Sequence, residues 1–587
     1  MNKIERRNLI KASLGLLNST LKLENANLIN VFSGEIYLAN IYIYKEFIVD
    51  VVQCSKDKNK PADKIINLKG KYLAPGFIDS HMHIESTHLT PYNFAQIAIP
   101  KGTTTVIADP HEIVNVLGEE GLDYMLQASE NLPMNQYFLI PSCVPSVLNL
   151  ENSGAVVGAK DIEKWLNKDR ILGLGEIMDF LGVINCEERM EDIIDVAYQK
   201  GKFLQGHAPG LTDEKLSAYL CGGPVSCHET RDGFKGIEKI RKGMFVDARE
   251  SSMSKNITSI VENILSKGLK SPRNFTLCTD DREPKDIIEN GHINNCLKIA
   301  VKAGLDPIEA IRAVTINPAQ EVGLEKLGAV APGYFADMVV FDNLKDFNVE
   351  KTFYRGELVS EFGEMKKLIE KKELEIEKRN TVYISNISEE QLKIRTPKRE
   401  GIIKIKGIYY EDTKRTFTRL KEFQVPVKDY FVDLSSTELN FVAIINRHKG
   451  NSNISLGIVE NFTMRKGAVG TTYSHDSHNM TIIYKDPKDA LVIANRLKEI
   501  GGGVVIGENG IIKDEVNFPI AGMLSNENAY DTGKNIERIN LLLKDMGLEC
   551  DSPITRPSSL ALIVIPEVKI SDVGIIDVSN KKIIEQF

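Results

Sequence analysis

The sequence predicts an α/β protein: a (β/α)8 TIM barrel, a small β-sandwich domain formed from both flanks of that barrel, and an additional C-terminal α/β domain. Three observations carry this expectation. Eight apolar runs of strand length follow one another from about residue 72 onward, with helical stretches between them. Each run ends in polar residues capable of chemistry. Segments rich in β-branched and aromatic residues lie on both sides of the repeat.

Taken in order, residues 1–70 hold an N-terminal helix and the first part of the sandwich. "MNKIERRNLIKASLGLLNSTLKLEN" is broken by Lys11, Asn18 and Lys22 and has no small-residue cleavage site, so it reads as an amphipathic helix and not as a signal peptide. "IYLANIYIYKEFIVDVV" follows with partial strand alternation, then the turn "KDKNKPADK". Residues 71–320 form the barrel. Its strands are "GFIDSHMH", "TTTVIADPHE", "YFLIPSCVP", "ILGLGEIMD", "KFLQGHAPG", "GGPVSCHE", "GMFVDARESS" and "NFTLCTDD". Connecting segments such as "CEERMEDIIDVAYQK" and "SSMSKNITSIVENILSKGL" carry apolar residues at helical spacing. Residues 321–362, with "LGAVAPGYFADMVVFDN" from Leu327 to Asn343, are strand-like and pair with the strands before residue 70. Residues 363–380 lie in the charged stretch "EFGEMKKLIEKKELEIEKRN" and are expected to form a solvated helical linker. Residues 381–587 make the C-terminal domain. Its glycine-rich "EIGGGVVIGENGII" lacks the Lys-Ser/Thr of a phosphate-binding loop and reads as hairpin turns.

Bulk properties narrow the function. The net charge of −8 offers no reason to expect nucleic acid or an anionic membrane as partner. No apolar run approaches the ~20 residues that span a bilayer. The eight cysteines form no CxxC pair, so neither a disulfide framework nor a zinc ribbon is indicated, and a reducing cytoplasm is the expected home.

The chemistry begins at "GFIDSHMHIES", Gly76 to Ser86. On a strand, His81 and His83 project to the same side and Met82 to the other. Two adjacent imidazoles make a ligand pair for a divalent metal, although H-x-H alone is a weak signal. In a barrel, chemistry sits at the C-terminal ends of the strands, where these histidines fall. The other strand ends add Glu176 on the fourth, His207 on the fifth, His228 on the sixth, and Asp280 with Asp281 on the eighth. Four histidines, a glutamate and an aspartate at one rim make a candidate two-metal site, in which a carboxylate can bridge the ions. Such ions lower the pKa of a bound water from 15.7 toward ~7. Asp280 then accepts that water's proton and passes it to the leaving group.

The ordered set H-x-H, bridging residue, His, His, Asp resembles the amidohydrolase superfamily. So do "KYLAPGFIDSHMHIES" entering the barrel and "NPAQEVGL…GAVAPGYFADMVVFD" leaving it. Many members of that superfamily bridge their metals with a carbamylated lysine, whereas this chain has Glu176 in "GEIMD". That glutamate, the "ADPHE" motif and the C-terminal "SHDSHN", Ser474 to Asn479, resemble the adenine-deaminating branch. The resemblance implies hydrolytic deamination of adenine to hypoxanthine and ammonia in purine salvage. It also implies two divalent ions, Mn or Fe, and Asp280 and Glu176 as catalytic residues. The alternative is a cyclic amide or N-acyl hydrolase of the same superfamily; a non-catalytic scaffold would have lost ligands that this chain retains. A homodimer is expected.

The remaining polar residues have two readings each. Glu85 and Glu112 follow histidines and either orient ligands or cap helices. Asp109 and His111 bind substrate or a further ion, or else build a turn at "DPHE". Asp281, beside Asp280, should point elsewhere on a regular strand and is assigned to substrate or to support of the ligands. His475 and His478, with Asp476 between them, form either an exposed turn or a cluster that closes the active site or meets another subunit. His88 in "IESTHL" stands where the superfamily has an apolar residue and is expected to be a surface or loop imidazole. His292 is expected on a helix surface, and Cys227 as a buried thiol.

Overall fold

The computed structural model describes residues 1–587 apart from residues 271, 413–416, 451–452 and 551. Its centre is eight parallel strands: β1 (Phe77–Met82), β2 (Thr103–Ala108), β3 (Asn135–Ile140), β4 (Ile171–Ile177), β5 (Phe203–Gly206), β6 (Ser226–Cys227), β7 (Phe245–Arg249) and β8 (Phe275–Cys278). The first five make one ladder in chain order and the last three a second. Backbone hydrogen bonds link the ladders at both seams, from Val225 N–H to Leu204 O (3.0 Å) and from Asp280 N–H to His81 O (3.1 Å), and Thr279 N–H adds a bond to Asp79 Oδ1 (3.1 Å) at the second. The sheet is parallel and curled. Every residue of β1 and β2 is buried, as expected where helices cover one face and the interior is filled by side chains.

Covering helices follow from their apolar spacing. Glu188–Gln199 buries Met190, Ile193, Ile194 and Ala197, and Ile257–Ser266 buries Ile257, Ile260, Val261 and Ile264. Both sets repeat at three and four residues, one face of a 3.6-residue helix.

The two flanks meet in one nine-stranded sheet. Its junction is the antiparallel pairing of Tyr72–Pro75 with Met338–Phe341. The flank sheet therefore takes in Tyr72–Pro75, residues that the sequence reading had grouped with the barrel. The sheet curls far enough for Phe47 on one edge strand to form a bridge with Phe335.

Residues 363–380 differ from expectation. They contain no α-helix; after the short strand Glu364–Met365 the chain runs extended to a single 3-10 turn, Glu375–Lys378. Tertiary anchoring overrides helix propensity here. Lys372 pairs with Glu130 and Arg379 with Glu120, while Ile369, Leu374 and Ile376 pack on the barrel's apolar core. The segment is a strap across the barrel surface.

The C-terminal region builds a second nine-stranded sheet, with helices Pro487–Ile500 and Ala529–Asp545. The glycine-rich stretch is a hairpin, Gly503–Glu508 against Ile511–Asn517. Gly503 is required there: its φ is +141°, and a Cβ would lie 2.0 Å from Val516 O. This region docks on the barrel mouth. Ile520, Met523 and Leu524 share one buried apolar cluster with Ile84, Leu89 and Phe94. Ser525 N–H donates to His88 O at 2.8 Å, and Asn93 Nδ2 donates to Glu527 O at 2.6 Å.

Candidate metal centre at the strand ends

Alternation along β1 and just past its end aims His81 and His83 into the hollow of the curled sheet, and both are buried. Their outer ring nitrogens are occupied. His81 Nδ1 lies 3.0 Å from Gln205 Oε1, and His83 Nδ1 lies 2.9 Å from Asp109 O. Both partners are acceptors, so each Nδ1 carries the proton and each Nε2 lone pair faces inward.

Those Nε2 atoms converge on two carboxylates. His83 Nε2 is 3.0 Å from Glu176 Oε1 and 3.4 Å from Asp280 Oδ1; His81 Nε2 is 3.4 Å and 3.5 Å from the same two atoms. The other oxygen of Glu176 faces the second pair: Oε2 is 2.6 Å from His207 Nδ1 and 3.2 Å from His228 Nε2. One carboxylate thus stands between two pairs of imidazoles, one oxygen to each. Its backbone is held too, since Glu176 N–H donates to Asp109 Oδ2 at 2.9 Å. The rings of His81 and His228 stack with centroids 3.8 Å apart.

Asp280 reaches the group through a break in the strand. β8 ends at Cys278, and Asp280 has a left-handed φ of +57°. Its Oδ2 accepts from Arg249 Nη1 at 2.5 Å, and Arg249 Nη2 lies 2.8 Å from Glu229 Oε1. Burial opposes ionisation of Asp280, but Arg249 and the histidines overcome it and hold the carboxyl well below its usual range. Glu176 is likewise held well below the ordinary range, against its burial, by His228 and His207. Burial disfavours a second proton on His81, yet Asp280 and Glu176 raise its pKa to about 10, so its Nε2 lone pair attracts either a proton or a metal ion. The centre therefore concentrates anionic oxygen and imidazole nitrogen in one dry space that calls for positive charge.

The residues present fit divalent ions. Each Glu176 oxygen, with a pair of histidines, makes the nitrogen and oxygen donor set suited to Zn, Mn or Fe. His81 Nε2 has no hydrogen-bond partner although it is fully buried. His81, His83 and Asp280 lie close enough to hold one ion, and so do His81, Glu176 and His228.

Around this centre lies a second polar layer. Glu85 Oε1 accepts from Ile113 N–H at 3.3 Å, across the start of the helix His111–Leu117. Glu112 Oε1 accepts from Ser86 Oγ at 3.1 Å and from Tyr473 OH at 3.2 Å. Ser86 also donates to Asp281, so Asp281 turns toward this layer and stays on the wall of the site. His111 Nδ1 lies 3.7 Å from Asp109 Oδ1 and its Nε2 3.7 Å from Asp476 Oδ1. His475 Nδ1 is 3.5 Å from Glu112 Oε1, and His478 Nε2 is 3.8 Å from Glu112 Oε2. The C-terminal "SHDSHN" therefore faces the barrel mouth and is no exposed turn. Met178, Leu562, Val564 and Ile565 give the cleft an apolar wall, and a larger cleft of about 740 Å³ opens beside it past Glu229 and Arg231.

Two expectations need correction. His88 is not a surface imidazole: it is 1% exposed, stacks on Phe518 at 4.3 Å, and has Nδ1 3.0 Å from Met523 O. Docking of the C-terminal region covers it. His292 is not on a helix surface either; it is fully buried, with Nδ1 2.8 Å from Thr103 Oγ1. Cys227 is buried. Sequence reasoning missed Gln205, Arg249, Ser86 and Tyr473. Arg249 had a signal, since it closes the only strand run to which no site residue was assigned apart from the third. Gln205 alternates with His207 on the same strand and was legible by the same rule.

Comparison with known proteins places these residues in a family. Residues 72–359 match the family model described as amidohydrolase family, and residues 415–582 match the adenine deaminase C-terminal domain. The chain is 36% identical to an adenine deaminase of Kosmotoga olearia, over 99% of this chain and 98% of that protein. It is 38% identical to an adenine deaminase of Thermosipho africanus, over 99% of each. Among solved structures, a β-aspartyl dipeptidase from Fervidobacterium islandicum AW-1 covers 60% of this chain and 99% of its own, at 18% identity and a TM-score of 0.44.

Proposed function

The chain belongs to the amidohydrolase family and, over its full length, to the adenine deaminases, and from that premise we propose that it hydrolyses adenine to hypoxanthine and ammonia. The observation that carries the reading is Glu176, whose two oxygens each face a pair of histidines at 2.6–3.4 Å.

The roles follow from position. His81, His83 and Asp280 with Glu176 Oε1 would hold one divalent ion, and His207 and His228 with Glu176 Oε2 a second, Mn or Fe in the cell. Bound there, the pair supplies the acidification of the attacking water, from 15.7 toward ~7. Asp280 is the base. Arg249 keeps it ionised and fixes its Oδ2, leaving Oδ1 toward the reacting atoms. It takes the water's proton as oxygen adds to C6 and returns it to the exocyclic nitrogen, which leaves as ammonia. Gln205 and Asp109 are positioning residues: they fix the tautomers of His81 and His83 and the backbone of Glu176. The wall of Met178, Leu562, Val564 and Ile565 suits a flat aromatic base. Glu85, Glu112, Asp281, His111, His475 and His478 line or brace the mouth.

The wider reading has the two parallel ladders forming one closed (β/α)8 cylinder over residues 71–320. The flank sheet lies in 1–70 and 321–362, the strap in 363–380, and the C-terminal domain in 381–587. We take the enzyme to be a cytoplasmic homodimer serving purine salvage. No helix among the described residues is long and apolar enough to cross a membrane.

The test is direct. The Mn-loaded protein is mixed with adenine, conversion to hypoxanthine is followed by ultraviolet absorbance, and Glu176→Gln is run in parallel. Turnover by the wild type and its loss in the variant is the expected result. Ring opening of a hydantoin or dihydropyrimidine without action on adenine would replace this reading with the cyclic-amide alternative.

A further inference from the structure

We propose that the barrel mouth carries a further divalent-cation site, separate from the central pair, built from His111 Nε2, His475 Nδ1 and Asp476 Oδ1 with Glu112 Oε1 at its edge.

The geometry points to it. His111, Glu112 and Asp476 are at most 4% exposed, and the His475 side chain is 15% exposed. Their facing atoms are spaced at 3.7 Å (His111 Nε2 to Asp476 Oδ1), 3.8 Å (His475 Nδ1 to Asp476 Oδ1) and 3.5 Å (His475 Nδ1 to Glu112 Oε1). These separations exceed the 2.7–3.2 Å of N–H···O hydrogen bonds. They match donors that share one ion: two ligands each about 2.1 Å from a tetrahedral centre lie about 3.4 Å apart. Ligand atoms of His111, His475 and Asp476 all lie close enough together to hold one ion.

Ring orientation supports the same assignment. His111 presents Nδ1 to Asp109 Oδ1 and Nε2 to Asp476 Oδ1, each at 3.7 Å, so an ion on Nε2 leaves the ring proton on Nδ1 with a carboxylate to face. His478 is excluded by the same reasoning. Ser474 N–H donates to its Nδ1 at 3.1 Å, so the ring proton sits on Nε2 and that nitrogen has no lone pair to give an ion. Two imidazoles with carboxylate oxygen suit Mn, Fe or Zn better than Mg or Ca. Two of the three ligands come from the C-terminal region and one from the helix after β2. The ion would tie the roof to the barrel at the edge of the active site.

The experiment counts metal. Full-length protein is stripped with a chelator, reloaded with Mn, gel-filtered and measured by inductively coupled plasma mass spectrometry. His475→Ala and Asp476→Asn are each expected to retain one Mn per chain fewer than wild type and to show a smaller Mn-induced rise in Tm. Glu176→Gln is expected to retain this ion while losing central metal. Equal Mn content in the wild type and both variants overturns the proposal. If a variant's circular dichroism shows that it has not folded, wild-type crystals soaked in Mn decide. An anomalous peak among the three ligand atoms supports the site, and its absence there overturns it. Neither readout depends on the substrate, so failure here is distinguishable from failure of the adenine assignment.

Discussion

Two histidine clusters share the barrel mouth and are built in different ways. In the central one, His81, His83 and His207 stand on or directly after strands of the five-stranded ladder, and His228 directly after the first strand of its three-stranded neighbour. The outer nitrogens of His81 and His83 are tied to acceptors within 3.0 Å. In the outer cluster, His111 and Glu112 come from a short helix, while His475 and His478 come from a loop of another region. Distances between facing donors and acceptors run from 2.6 Å to 3.5 Å in the first and from 3.5 Å to 3.8 Å in the second. Adjoining parallel strands, with Gln205, Asp109 and Arg249 as braces, set their ligands closely. A cluster shared between two regions depends on how those regions dock.

Variants can break this contrast. Glu176→Gln removes the one charge that both central pairs share. Both proposed ions lose an anionic ligand, so kcat/KM should fall on the order of 10³-fold, about 4 kcal/mol of transition-state stabilisation. An unchanged rate would show that the central cluster does not carry the chemistry. Arg249→Lys keeps the charge but loses the paired grip on Asp280 and Glu229. Steady-state kinetics should show kcat down about 100-fold, within the range of acid–base contributions, with KM little changed. A rise in KM alone would remove Arg249 from the proton path. Gln205→Leu frees the ring of His81. Titration with Mn should show affinity weakened about 10–100-fold, and unaltered affinity would mean that the sheet alone orients the ring.

The smallest effect at neutral pH belongs to the roof. His88 is held neutral by burial, with a folded pKa of about 4 against an ordinary 6.5. Its unfolded form therefore binds a proton more readily than its folded form. Its contribution to stability is present above pH 6.5 and is lost as pH falls toward 4. His88→Asn tolerates the left-handed φ of +55° and should flatten that part of the stability profile. Denaturant melts between pH 4 and 7 would measure the slope, and an equally steep variant would assign acid sensitivity elsewhere.

How far the sequence could be read follows the same division. All eight strand runs appear as parallel strands, because a buried parallel strand is a short apolar run and its polar end marks the mouth. Even the two-residue β6 was visible through His228 behind it. Asp280 was legible as a strand-end carboxylate, but not the left-handed turn that aims it or the arginine that holds it. The strap at 363–380 misled because alternating charges at helical spacing mimic a solvated helix, while its actual partners, Glu130 and Glu120, lie far away in the chain. His88 misled for a related reason: nothing near "IESTHL" announces Phe518. Local pattern records which atoms a single element presents. It does not record which distant surface will cover them.

Leu562, Val564 and Ile565, nearly five hundred residues beyond His83 in the chain, wall the same cleft as that histidine. A ribosome making this protein has therefore exposed every central ligand long before it releases the segment that shields them. During that interval the nascent chain can meet cations in open water but has no enclosed chamber in which to hold a base. Catalytic competence should wait until residues 562–565 have emerged, and a chain truncated before Leu562 should carry its ligands intact and its chamber unfinished.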